Sequence, residues 1–182
     1  MLCLAVSTAV AQKKSAPPKP KDSGPSLEAT MRFIQDKLSD IGKVNYVIFG
    51  QDTSNNTTFT GSDSEEFSNI TVSDQCRIQY HLKRIEDGKI QEEGNYGFNL
   101  SIVQDVVVEP AERFLNDEYA ASGQPTGVAT STNPPITVLL VRRPHHVRNY
   151  LIFTDPDLAD RVAKAITHAI ELCGGGSKDD PF

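Results

Sequence analysis

Tryptophan is absent from this chain, and methionine occurs only twice. No apolar run approaches the roughly 20 residues that a bilayer-spanning helix needs, so the mature chain is not expected to be an integral membrane protein. The phosphate-cradling loops Gly-x-Gly-x-x-Gly and Gly-x-x-x-x-Gly-Lys do not occur, which argues against dinucleotide and nucleoside-triphosphate sites. Nor is there a Gly-x-Ser-x-Gly turn of the kind that exposes a nucleophilic serine. Histidine is scarce and scattered: His145 and His146 are adjacent, while His81 and His168 stand alone. Without a cysteine or carboxylate at a fixed offset these do not make a metal-ligand pattern, so neither a metal nor another cofactor is expected.

What is present fits one domain with a core plus tails: 182 residues, of which 38% are hydrophobic. The net charge of −6 hides an asymmetry, because residues 12–25 carry +3, through Lys13, Lys14, Lys19 and Lys21, and the remainder −9. An acidic body argues against nucleic acid as a partner, since phosphate contacts need a basic face. Residues 12–25, rich in Lys, Pro and Ser, read as a disordered or polyproline-like spacer. Before them, 1–11 have the form of the back half of a signal peptide. Leu2-Cys3-Leu4-Ala5-Val6 is the apolar part and Ala9-Val10-Ala11 a small-x-small cleavage site. An exported protein, periplasmic or secreted, is therefore expected. Cleavage there leaves Cys76 and Cys173, an even pair that reads as a disulfide in an oxidising compartment; the alternative is two buried thiols.

Along the body, hydrophobic periodicity separates two helices from a series of strands. Ser26 is an N-cap, and Leu27, Met31, Ile34, Leu38 and Ile41 form one apolar helical stripe that Gly42 ends. Strands are expected at 43–49, 57–60, 65–72, 75–84, 89–92, 98–102 and 106–108. In the clearest of them, Cys76, Ile78, Tyr80 and Leu82 alternate inward, and Asp87-Gly88 makes a hairpin turn after it. Residues 110–135 are expected to be a flexible insertion, with at most a helical turn or two in 111–121. Then 136–141 and 147–153 pair as a hairpin. A final helix opens with Asp155 as N-cap and Pro156 at its first position. It shows an apolar face of Leu158, Val162, Ala165, Ile166, Ala169, Ile170 and Cys173. The domain is expected to span 26–174, with 175–182 a disordered tail.

A strand series followed by a hairpin and one closing helix, Asp155-Pro156-Asp157-Leu158-Ala159-Asp160-Arg161-Val162, resembles the pleckstrin-homology-like fold over roughly 44–173. The ending Phe153-Thr154-Asp155 through His168-Ala169-Ile170-Glu171-Leu172-Cys173-Gly174 is also similar to a family of exported bacterial proteins. The resemblance implies an α+β fold: a strongly bent antiparallel barrel or sheet closed by the C-terminal helix, here with an extra N-terminal helix. It does not imply lipid binding, because 51–58 carry no Lys or Arg where phosphoinositide-binding members have a basic loop.

The concentrated basic stretch of the body is the hairpin tip: Arg142, Arg143, His145, His146 and Arg148. Guanidinium groups there suit an anion, whether a phosphate, a sulfated glycan or an acidic partner protein. The plainer reading is a solvated turn that keeps an apolar hairpin from pairing with neighbours. The sequence points to a non-catalytic binding or scaffold domain at the cell envelope, for a protein, peptide or anionic ligand. The alternative is a small extracytoplasmic hydrolase using His81 or His145.

Overall fold

A computed structural model describes residues 24–121 and 127–176. The signal-like segment, nearly all of the Lys/Pro spacer and residues 177–182 lie outside the described residues. The elements are α1 (Leu27–Ser39), β1 (Lys43–Asp52), β2 (Thr57–Ser73), β3 (Arg77–Glu86), β4 (Lys89–Asn99) and a 3₁₀ turn (Leu100–Ile102). There follow β5 (Asp105–Pro110), α2 (Ala111–Ala121), β6 (Gly127–Asn133), β7 (Thr137–Arg142), β8 (Arg148–Phe153) and α3 (Pro156–Leu172). The class is α+β with antiparallel sheets.

Both expected helices form where their caps and stripes put them. Ser26 Oγ accepts from Ala29 N, Gly42 has the positive φ of +57° that ends the segment, and Met31, Ile34 and Leu38 are buried. In α3 the Asp155 carboxylate accepts from the N–H groups of Asp157 and Leu158. Its buried face is Ala159, Val162, Ile166, Ala169 and Ile170, packed on β5, β7, β8 and α1. β7 reads Val138-Leu139-Leu140-Val141 without alternation because both of its faces are covered.

The strands do not close into a barrel. They form a five-stranded sheet in the order β4-β3-β2-β1-β6 and a separate three-stranded sheet in the order β5-β7-β8. Asn149 and Tyr150 are consecutive in β8 and so project to opposite sides of it. Both reach the inner face of the larger sheet: Asn149 Nδ2 donates to Tyr80 Oη at 3.3 Å, and Tyr150 Oη donates to Glu65 Oε1 at 3.5 Å. β8 is therefore tied to that face by side chains from both of its own sides.

Three further expectations are corrected. The two short strands at 57–60 and 65–72 are one strand, β2, bent by a register shift between Ser68 and Thr71, where Asn69 takes a φ of +51°. Within 110–135, expected to be a flexible insertion, 111–121 form α2 and 127–133 form β6, while 122–126 lie outside the described residues. Ala111 and Phe114 are buried, β6 pairs with β1, and the Asn116 amide bonds both backbone groups of Ala129, at 2.6 and 3.2 Å. Similarly, 98–102 is a strand only to Asn99, beyond which the chain turns.

Cys76 and Cys173 form a disulfide, their Cα atoms 5.9 Å apart. Cys76 is not on the inward face of β3 as expected; it sits in the turn before that strand with a φ of +62°. Cys173 caps α3, and the chain beyond stays bonded: Gly175 N donates to Ile170 O and Gly176 N to Val103 O. Residues 175 and 176, expected to open the tail, are thus bonded to the body. The bridge spans a sequence separation of 97, for which loop-closure entropy gives a stabilisation of about 4–5 kcal/mol. Replacing both cysteines with serine is expected to lower the unfolding free energy by about that amount in urea titrations, and reduction should do the same to the parent.

Candidate functional site

The basic hairpin tip is built by the register of the small sheet, which sets Arg142, the last residue of β7, opposite Arg148, the first of β8. These two arginines are not free. Arg142 makes a bidentate pair with Asp105 at 2.5 and 2.9 Å, and Arg148 reaches Glu118 of α2 at 2.9 Å. Pro144–His146 make a 3₁₀ turn in which His145 takes a φ of +64°. The side chain of His146 lies outside what the structure describes. Arg142, Arg143, His145 and Arg148 line one cleft with Gln104, Asp105 and Val147, about 600 Å³ in volume.

Among the described residues Arg143 has no ion-pair partner, and its buried Nε has no hydrogen-bond partner. It also lines a second cleft of about 330 Å³ with Arg77, Gln79, Asn95, Tyr96, Gly97, Phe98, Asn99 and Ile102. Among the described residues no carboxylate lines this second cleft, and two arginines share it with amide, aromatic and aliphatic residues. Gln79 and Asn95 lie on the outer face of the larger sheet and Tyr96 and Phe98 on the inner one. The cleft therefore wraps the margin of β4. Ile102, half exposed at 50%, forms part of its wall.

A third feature was missed by sequence reasoning. On the inner face of the larger sheet the apolar rows give way to polar residues of the same parity: Phe67 to Glu65 and Asp63 on β2, Tyr80 and Leu82 to Arg84 on β3. Glu65 is only 2% exposed. Its Oε1 accepts from the hydroxyls of Tyr46 at 3.3 Å and Tyr150 at 3.5 Å. Among the described residues, five buried side-chain atoms have no hydrogen-bond partner, and four of them gather around this seam: Glu65 Oε2, Arg84 Nε, Asn149 Oδ1 and Arg143 Nε. Burial pushes the Glu65 carboxyl up to about 8, with the Arg84 charge working against it. Asp63 is raised to about 6 by burial and by Glu86, and the tyrosines Tyr46 and Tyr150 are raised by burial and by Glu65. The parity of these rows was the signal that could have found the seam.

The histidines assigned to the hydrolase alternative are far apart in role. His81 Nδ1 lies 3.1 Å from Asn95 Oδ1, and its Nε2 lies 3.6 Å from Glu93. Both ring nitrogens thus face groups on β4, although Ser68 is its register neighbour on β2. A general base needs one nitrogen directed at a nucleophile. Among the described residues, no group of three or more His, Cys, Asp or Glu is placed to hold a metal ion.

The seam makes stability depend on pH. The folded carboxyl of Glu65 holds its proton to about pH 8, whereas the unfolded one releases it near its ordinary value of 4.5. The stabilising contribution is complete below about pH 4.5 and is lost as pH rises through about 8. Asp63 acts in the same direction between about pH 4 and 6. The melting temperature should therefore fall across this range, and Glu65→Gln should flatten most of the fall above pH 6. An unchanged slope in that variant would show that Glu65 is already ionised.

No protein-family model, curated protein sequence or solved structure matches this chain.

Proposed function

We propose that this is an exported, non-catalytic recognition domain of the cell envelope that binds an anionic ligand through the clefts meeting at Arg143. The observation that carries this reading is the position of Arg143. Its charge has no acidic partner among the described residues, and it stands between two clefts, one of them without a carboxylate. Arg77 supplies a second cation to that cleft. The disulfide supports export, because such bridges persist in oxidising compartments. Kinship with pleckstrin-homology-like domains belongs to the same proposal, supported by the C-terminal helix packed across a strand-rich body. Against a hydrolase stands the engagement of both His81 nitrogens and the exposure of His145 at a turn.

Dextran sulfate is a suitable generic polyanion for the test, with binding followed by amide chemical-shift changes at low and moderate salt. Binding should perturb residues of the two clefts and weaken as salt screens exposed charge over about 8–10 Å. Arg143→Ala should weaken it roughly tenfold or more, while His81→Ala should leave it unchanged. Binding unaffected by Arg143→Ala would remove the site. Hydrolysis of an ester substrate that His81→Ala or His145→Ala abolishes would establish the enzyme reading instead.

A further inference from the structure

Sheet order leaves β4 at the margin of the larger sheet, hydrogen-bonded to β3 on one side only. The other side presents alternate backbone N–H and C=O groups, a template for one more strand. Proteins usually protect such margins with charges, proline or bulges. In β4 these protections are confined to the first half. Lys89, Glu92 and Glu93 lie there, and the register shift between Arg84 and Ile85 faces the same half. Gly94–Asn99 carries no charge and no proline. This unprotected stretch is also where the carboxylate-free cleft lies, lined by Asn95, Tyr96, Gly97, Phe98 and Asn99 with Arg77 and Arg143 beside it.

We infer that an acidic peptide segment in extended conformation adds as a strand to the β4 margin over Gly94–Asn99, with its carboxylates held by Arg77 and Arg143. This inference rests on the anion-binding reading and names its ligand. Six residues of strand offer about 20 Å of main-chain pairing, which provides affinity without sequence demands, while side-chain pockets on alternate positions provide selectivity. Half-exposed Ile102 gives an apolar contact for a residue between the carboxylates. A second copy of this chain fits poorly in the same place, because it would bring its own arginines against these with no carboxylate between them. A polyanionic glycan would satisfy the arginines but would leave the backbone groups of the margin without partners of matching spacing.

The test uses the full chain and a hexapeptide library with two Asp or Glu residues at every spacing and varied residues elsewhere. Selected peptides should slow hydrogen exchange of amides in 94–99. They should lose at least tenfold in affinity when the N–H groups that face β4 are methylated, and at least tenfold against Arg143→Ala. Equal binding by methylated peptides, or no peptide binding better than dextran sulfate, would overturn strand addition and leave the anion site standing. Slowed exchange of the same amides on dimerisation without peptide would assign the margin to a second copy. If the parent chain binds neither dextran sulfate nor any peptide of the library, both readings are removed.

Discussion

The covalent link between Cys76 and Cys173 is the constraint on which the geometry of the candidate site depends. It ties the turn before β3 to the end of α3, and its effect passes along the chain through backbone bonds. Leu100 N donates to Cys76 O, Gly176 N to Val103 O, and Gln104 N to Arg142 O. These three bonds place the 3₁₀ turn, and with it Ile102, beside the hairpin that carries Arg143. They also bring Asp105 to Arg142. Gly175 is required at this junction, because a side chain there would run into the carbonyls of Leu100 and Val103. Two clefts that look like surface features are thus fixed from the covalent joint outward.

The two sheets meet through polar groups. Apolar packing alone would hold them with fewer constraints on angle. Hydroxyls, an amide and a carboxyl with directional bonds specify how β8 approaches the larger sheet. A buried carboxylate would be costly there, and the raised affinity of Glu65 for its proton is the consequence. Arg143 belongs partly to this seam, since its Nε is buried while the residue lines both clefts. The recognition surface and the interior polar contacts therefore share a residue.

Much of this was legible in the sequence where local chemistry dominates. The caps at Ser26 and Asp155, the glycine at 42 and the Asp87-Gly88 hairpin are decided by nearest neighbours. The disulfide followed from counting cysteines once an oxidising compartment was assumed. Strand assignment to sheets was not legible, because pairing of β6 with β1 joins residues some 80 positions apart and leaves no local mark. β6 itself, Gly127-Val128-Ala129-Thr130-Ser131-Thr132-Asn133, is so polar that only Ala129 and Thr132 are buried, which gave it the look of a loop. The five residues of the basic tip were found, yet the pairing of Arg142 with Asp105 and of Arg148 with Glu118 was not, since both acids come from distant elements. The remaining site residues, Arg77, Gln79 and the margin of β4, become a cleft only once the topology leaves that strand without a neighbour.

The measurement that tests the frame most directly is the thiol state of Cys76 and Cys173 in protein recovered from its native host, by alkylation and intact mass before and after reduction. A bridged frame predicts that neither cysteine is alkylated in the unfolded, unreduced protein and that both are alkylated after reduction. Alkylation of both without reduction would contradict the frame, and with it the fixed placement of the 3₁₀ turn beside Arg143.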